Sequence, residues 1–226
     1  MRPTLLAASI VLAAVNSASG QTASRFEVGP VLRLDKVFIE GDASGSTPVA
    51  GAVATFKLSR TYAVEAEITQ ASGRIARSYE GWFVSYTTNP NASREEIERL
   101  APTARRSLGY EPGIGGSAAF VARGAISRRV GLGARVGVTA RNYVETSSYT
   151  ILTIPEGVDP VRVARDFQDS SSRRVRGGLL LGLDGSVALT RHLSVVPEVR
   201  VVYGGPARIG DKHRELGVGV RGAFSF

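Results

Sequence analysis

The sequence predicts an all-β protein: an eight-stranded antiparallel up-and-down transmembrane β-barrel with short periplasmic turns and long external loops. Three observations favour this fold. Most of the chain after residue 25 alternates apolar residues with small or charged ones at the two-residue period of a strand. The connections between these segments alternate between short and long, as they do in transmembrane barrels. After the N-terminal apolar run, no segment is long and apolar enough for a transmembrane helix.

The first twenty residues have the layout of a secretory signal peptide. Arg2 gives a short positive start, and Leu5 to Val15 form an apolar run of 11 residues. That run is shorter than the ~20 residues that a helix needs to span a bilayer. Because small residues follow up to Gly20, we expect residues 1–20 to be removed and residues 21–226 to form the barrel domain.

Eight segments carry the strand pattern. Apolar residues occupy one parity, while glycine, serine, alanine and isolated charges occupy the other; the first segment departs from this pattern at Lys36, which shares the apolar parity. In the seventh segment, for example, Val199 and Val201 alternate with Glu198 and Arg200. The predicted strands run from about Phe26 to Phe38, Val49 to Leu58, Tyr62 to Thr69, Ser117 to Ile126, Val130 to Val144, Arg174 to Leu189, Leu193 to Tyr203 and Arg214 to Phe226.

Short and long connections alternate strictly along the chain. The three tight turns are Ser59-Arg60-Thr61, Ser127-Arg128-Arg129 and Thr190-Arg191-His192. The four longer connections are residues 39–48, 70–116, 145–173 and 204–213. In outer-membrane barrels the short turns face the periplasm and the longer loops face outward.

Both of the longest loops are predicted to contain a helix. In loop 70–116 the helix runs from Ser93 to Arg105, with Ser93 as its cap and Glu96 three residues later. In loop 145–173 a helix of one or two turns starts at Asp159-Pro160.

The two-residue period does not decide which face of the barrel is apolar, since a soluble lipocalin-like barrel also alternates. Two details favour apolar residues on the outside. The other face is rich in glycine, serine and alanine with few charges, which suits a narrow lumen packed with side chains. Aromatic residues lie near strand ends, as in interfacial girdles. We place Phe38, Phe120 and Tyr203 on the loop side, and Phe26, Phe56, Tyr62, Phe224 and Phe226 on the turn side.

Three features of the sequence resemble the small outer-membrane β-barrel family of bacteria, which includes OmpA-type transmembrane domains and OmpX- and Ail-like proteins. They are the run Leu5–Val15, strand–turn–strand units such as Leu179–Tyr203, and the final segment Val218–Phe226. The resemblance covers residues 25–226 and implies a location in the cell outer membrane. It also implies that Phe224 and Phe226 are read by the barrel-assembly machinery, although Gly222 departs from the pattern. It implies no particular activity, because such barrels host different functions.

Strand parity assigns thirteen charged residues to the lumen, seven of them basic and six acidic. An eight-stranded barrel leaves an interior just wide enough for side chains to fill. Because a buried charge without a partner costs several kcal/mol, we expect an internal network of ion pairs that plugs the barrel. Its predicted members are Glu27, Arg33, Asp35, Lys57, Glu65, Glu67, Arg123, Arg135, Arg141, Asp184, Glu198, Arg200 and Arg221.

The predicted function is a structural or surface-interaction role without catalysis. Two alternatives stay open: a narrow outer-membrane channel or transporter, and a lipid-modifying outer-membrane enzyme. For the enzyme, His192, Ser194 and Glu198 supply suitable residue types, but Ser194 and Glu198 are ~13 Å apart at ~3.3 Å per residue, beyond the reach of a hydrogen bond. No cofactor or metal is expected, since the chain has no cysteine and only two histidines.

The expected partners are outer-membrane lipids, the barrel-assembly machinery, and a surface protein or glycan ligand that loops 70–116 and 145–173 contact. The tight turns hold four arginines and no acidic residue, and these either contact anionic lipid head groups or only keep the turns soluble. They are Arg60, Arg128, Arg129 and Arg191. Nucleic acid is not expected despite the net charge of +8, because no basic stripe is interleaved with aromatic residues. We expect a monomer.

Overall fold

The computed structural model describes residues 25–39, 43–82, 91, 93–204 and 213–226. The predicted signal peptide lies outside the described residues. The strands are β1 (Phe26–Ile39), β2 (Ala43–Lys57), β3 (Tyr62–Ala71), β4 (Ile75–Trp82), β5 (Thr103–Ala125), β6 (Val130–Thr153), β7 (Ser170–Ala188), β8 (Leu193–Gly204) and β9 (His213–Ser225). The helices are α1 (Arg94–Leu100) and α2 (Pro160–Asp166). Within the described ranges, neither helix has the length and apolar character needed to cross a membrane.

The chain divides into two compact units. The first comprises Met1–Gly73, Pro112–Asn142 and Val175–Phe226, and the second comprises Arg74–Glu111 and Tyr143–Arg174. Three strands, β5, β6 and β7, contribute residues to both units.

The first unit is a closed ring of eight strands. The order around it is β3-β2-β1-β9-β8-β7-β6-β5, and pairing of β5 with β3 closes the ring. At the closure, Tyr62 lies opposite Ala122 and Gln70 opposite Ile114. The predicted eight-stranded antiparallel up-and-down barrel is thereby confirmed.

The barrel exposes its apolar residues and buries its charged ones. On β1, Leu32 and Leu34 are 60% and 54% exposed, whereas Arg33 and Asp35 beside them are 5% and 1% exposed. The same alternation runs along β8 and β9, where exposed valines flank buried charges. Closure satisfies the backbone hydrogen bonds between strands, which a bilayer requires. An apolar exterior around a polar interior is the arrangement of a barrel that spans an outer membrane.

Aromatic side chains lie on the exterior of the barrel, with one correction to their predicted positions. Tyr62 and Phe120 stack with their ring centroids 5.4 Å apart, so Phe120 lies on the turn side and its predicted loop-side position is wrong. The reason is that β5 begins at Thr103, which puts Phe120 near the end of a long strand. Phe224 and Phe226 are both exposed. Their recognition by the assembly machinery stays a prediction.

The second unit contains a strand pair and both helices. In the pair, β4 runs antiparallel to β5, with Ile75 opposite Tyr110 and Trp82 opposite Thr103. Residues 70–116 and 145–173 were expected to be loops, but β4, the first part of β5, the last part of β6 and the first part of β7 occupy much of them. These strand segments mix polar and apolar residues on both parities, so the sequence shows no regular apolar alternation there.

The predicted N-terminus of α1 is confirmed and its predicted C-terminus is wrong. The N–H of Glu96 donates to Oγ of Ser93 at 3.2 Å, and the N–H of Ser93 donates to Oε2 of Glu96 at 3.1 Å. This reciprocal pair is a capping box. The helix ends at Leu100 and not at Arg105, since Pro102 disfavours helical geometry in the residue before it.

The start of α2 lies where the sequence predicts it. Oδ1 of Asp159 accepts a hydrogen bond from the N–H of Val161 at 2.9 Å. Pro160 occupies the first turn, where its missing N–H costs nothing.

Candidate functional site

The barrel lumen holds all thirteen charged residues that strand parity assigned to it. Eleven of them are buried. Lys57 and Arg123 are partly exposed, with 37% and 21% of their side-chain surface accessible. The strands bring these side chains together because all thirteen lie at inward positions, whereas Lys36 on β1 and Arg214 on β9 are exposed and lie outside the network.

One half of the network joins strands on opposite sides of the ring. Nη1 of Arg200 on β8 lies 3.1 Å from Oε1 of Glu67 on β3, and these strands are four apart in an eight-strand ring. Nη2 of Arg141 on β6 lies 3.6 Å from Oδ2 of Asp35 on β1, also four strands away. Arg33 adds contacts to Asp35 at 2.6 Å and to Glu67 at 3.2 Å. Side chains therefore meet across the full width of the lumen.

The other half centres on two carboxylates. Oδ2 of Asp184 lies 2.7 Å from Arg135 and 3.1 Å from Arg221. The carboxylate of Glu65 pairs with Arg135 at 3.0 Å and also with Arg221. Arg123 approaches both carboxylates, at 3.5 Å and 3.6 Å. Each guanidinium thus faces two or more acids, which is the pairing that buried charges require.

Glu198 connects the two halves. Its Oε1 accepts a hydrogen bond from Nη1 of Arg33 at 3.2 Å. Its Oε2 lies 3.0 Å from Nη1 of Arg135 and 3.0 Å from Nε of Arg221. The Glu198 side chain is fully buried, so a single carboxylate serves three arginines away from water.

At the turn side of the lumen the network becomes partly exposed. Oε1 of Glu27 contacts Nζ of Lys57 at 2.5 Å and accepts a hydrogen bond from Oγ of Ser225 at 2.9 Å. A cavity of about 10 Å³ lies beside Glu27, Arg123 and Arg221. A cavity of that volume has room for at most about one water molecule.

Glycine makes room for the arginines. A β-carbon at Gly217 would lie 2.8 Å from Cδ of Arg33, and one at Gly182 would lie 2.8 Å from Cγ of Arg135. Real β-carbons do not approach other atoms so closely. The glycines on the inward parity are therefore part of the charge network, because they leave the width that guanidinium groups need.

Two further residues lie in the lumen beside the thirteen assigned above. Glu215 is 5% exposed, and its Oε1 lies 2.8 Å from Nε2 of His213. His213 is itself buried. Residue 213 was expected to belong to the connection 204–213, which is wrong because β9 begins at His213. Glu215 lies on the inward parity of β9 with Gly217, Gly219 and Arg221, so strand parity assigns it to the lumen, as the structure shows. With Glu215 included, the lumen holds seven basic and seven acidic residues.

The residues that would make an enzyme are not assembled in the described part of the chain. His192 is exposed in a turn, where its Nδ1 lies 3.1 Å from the carbonyl oxygen of Ser225. Glu198 is engaged by three arginines inside the lumen. Within the described residues, no group of three or more acidic or histidine side chains is arranged to hold a metal ion.

No family model and no curated protein sequence matches the chain. Solved structures of small outer-membrane barrels are similar to it. Ail from Yersinia pestis, solved with the heparin analogue sucrose octasulfate, has 10% identity and a TM-score of 0.43, covering 90% of this chain and 100% of Ail. Neisserial surface protein A has 17% identity and a TM-score of 0.42, covering 91% and 100%. The N-terminal barrel domain of OprF from Pseudomonas aeruginosa has 9% identity and a TM-score of 0.42, covering 90% and 100%. The assignment of the fold rests on the strand pairing described above.

Proposed function

We propose that this chain is a closed, non-conducting barrel of the outer membrane. Its role is structural within the membrane, and its contacts with surface ligands are made by the second unit. The observation that carries the proposal is the Arg200–Glu67 pair, which joins opposite strands of the ring at 3.1 Å. A pair that joins opposite strands supports a lumen that is filled by side chains and closed to ions.

Electrostatics supports closure as strongly as packing does. The lumen residues at the centre of the network are buried: Arg33, Arg141 and Arg200 are at most 5% exposed, and Glu67 is 7% exposed. A permeating ion would have to separate arginine–carboxylate pairs that are already desolvated, and breaking such a pair costs about 3–5 kcal/mol. The balance of seven basic against seven acidic residues also gives neither cations nor anions a net attraction.

The second unit is the place for surface contacts because it combines defined structure with exposed apolar side chains. Leu152 is 43% exposed, and Val161 on α2 is 77% exposed. Arg106 is held beside Tyr79 by a 2.9 Å hydrogen bond and lies 5.5 Å from the ring centre of Tyr149. By sequence this unit has ten arginines and ten acidic residues. A neutral surface of this composition favours a protein or uncharged glycan ligand over a polyanion.

Conductance in planar bilayers tests the closed lumen. We expect no reproducible current steps from the native protein. The double variant E67A/R200A removes the cross-lumen pair without changing the net charge, and we expect it to produce small, frequent steps. The matched control E80A/R105A removes an exposed pair of the second unit and should stay silent. Stable steps from the native protein would refute the proposal and favour the narrow channel.

A further inference from the structure

The three tight turns of the barrel share one sequence pattern. Each has an aliphatic residue, then serine or threonine, then arginine, then a polar residue, then an apolar or aromatic one. The three segments are Leu58-Ser59-Arg60-Thr61-Tyr62, Ile126-Ser127-Arg128-Arg129-Val130 and Leu189-Thr190-Arg191-His192-Leu193.

The hydroxyl group in each turn holds the backbone in the same way. Oγ of Ser59 accepts hydrogen bonds from the N–H groups two and three residues later, at 3.1 Å and 3.0 Å. Oγ of Ser127 does so at 3.3 Å and 3.2 Å, and Oγ1 of Thr190 at 3.2 Å and 3.0 Å. Such hydroxyl-to-backbone bonds favour a turn, and a backbone hydrogen bond across each turn adds to them, as from the N–H of Ser59 to the carbonyl of Tyr62. The arginine that follows is therefore not needed for the geometry of the turn.

All three turns lie at one rim of the barrel. The N–H of Arg123 donates to the carbonyl of Thr61, and the N–H of Ala188 donates to the carbonyl of Arg129. The N–H of Ser225 likewise donates to the carbonyl of His192. Each turn is thus bonded to the strand end beside it, and these bonds follow one edge of the ring.

This rim carries uncompensated positive charge beside apolar side chains. Arg60, Arg128, Arg129 and Arg191 are exposed, and within the described part of the chain none of them forms an ion pair. The nearby acid Glu27 is occupied by Lys57 and Arg123. Before each turn stands an exposed aliphatic side chain that continues the apolar exterior: Leu58, Ile126 and Leu189 are 52%, 64% and 57% exposed.

We propose that the four turn arginines form a binding rim for anionic phospholipid. The phosphodiester and the acidic head group would accept hydrogen bonds from a guanidinium, whose planar fork suits phosphate oxygens. The aliphatic residue before each turn would lie among the acyl chains of the same lipid. The two features occur together three times, at the depth where head groups meet acyl chains, and this repetition favours lipid over a soluble anion.

Lipid binding to the folded full-length protein in detergent micelles tests the rim. Phosphatidylglycerol and phosphatidylcholine with identical acyl chains are titrated, and bound lipids are counted by native mass spectrometry. For the native protein we expect phosphatidylglycerol to bind about fivefold more tightly at the turns with one arginine, and more tightly still at the turn that carries Arg128 and Arg129. This preference should decrease as the ionic strength rises.

Two variants with equal charge decide the outcome. R60Q/R128Q/R129Q/R191Q removes the rim charges and should reduce the preference for phosphatidylglycerol to nearly one. R77Q/R99Q/R162Q/R173Q removes four arginines of the second unit and should keep the preference. Heat-modifiable migration on a gel confirms that both variants are folded. The proposal would be overturned if the native protein and the turn variant showed the same preference for phosphatidylglycerol. It would also be overturned if both variants lost this preference to the same extent.

Discussion

Replacing Glu198 by glutamine should destabilise the barrel strongly, because this carboxylate connects the two halves of the lumen network. It faces Arg33, Arg135 and Arg221 at 3.0–3.2 Å and is fully buried. At an effective dielectric constant of about 20, one such contact contributes roughly 4 kcal/mol of attraction. Glutamine keeps the shape and one acceptor, but it leaves seven basic residues against six acidic ones. We expect a net loss of about 3–5 kcal/mol in the free energy of unfolding.

Urea titration of the folded protein, followed by heat-modifiable migration, measures this loss. With a slope of about 2 kcal/mol per molar urea, the E198Q midpoint should fall by about 1.5–2.5 M. The matched variant E80Q removes a carboxylate whose pair with Arg105 is half-exposed, and it should cost less than about 1 kcal/mol. If both variants shift the midpoint equally, the lumen charges are not the desolvated network that the structure shows.

Three further predictions concern packing, membrane placement and local structure. Gly217→Ala places a β-carbon against Arg33 and should lower the free energy of unfolding by about 1–3 kcal/mol. Gly124→Ala, where an added β-carbon would meet no atom within 4 Å, should lower it much less. The same urea titration compares the two variants, and equal midpoints would contradict the close packing. In lipid vesicles, Leu181→Arg in the middle of β7 should lower the free energy of unfolding by about 2–4 kcal/mol, and Leu189→Arg at a turn should lower it by less than about 1 kcal/mol. An equal folded fraction for both variants would argue against lipid around the barrel. Asp159→Ala should weaken α2 by about 1 kcal/mol, seen as faster amide exchange over residues 161–167 with the barrel unchanged; unaltered exchange there would show that the cap is not needed.

The barrel and its lumen could be predicted from the sequence because both depend on parity. Once Leu32 and Leu34 are taken to face lipid, the positions of Arg33 and Asp35 in the lumen follow from strand geometry alone. The three turns could also be predicted, since each is a short connection between two strands that run in opposite directions. The helix starts at Ser93 and Asp159 also came from local chemistry, namely side chains that accept backbone hydrogen bonds.

Features that depend on distant partners could not be predicted in this way. Nothing near Thr103 in the sequence shows that it starts a 23-residue strand, because the segment that pairs with β4 mixes polar and apolar residues without a regular period. Which arginine meets which carboxylate was also hidden, since Arg200 and Glu67 are 133 positions apart and on opposite strands of the ring. His213 was misplaced for the related reason that strand ends are set by the neighbouring strand, and not by the residue itself.

The distribution of charge explains why the whole-chain value of +8 is a poor guide to function. A lumen away from water must be neutral, because each unpaired ion there costs several kcal/mol, and its seven basic residues are matched by seven acids once Glu215 is counted. The second unit is also balanced by sequence, with ten of each sign. Eleven basic and three acidic residues remain outside these two groups, and four of the basic ones are the arginines of the tight turns. The excess positive charge therefore lies outside the lumen and the second unit, where folding does not require it. This is the physical reason for assigning the turn arginines to a partner outside the chain.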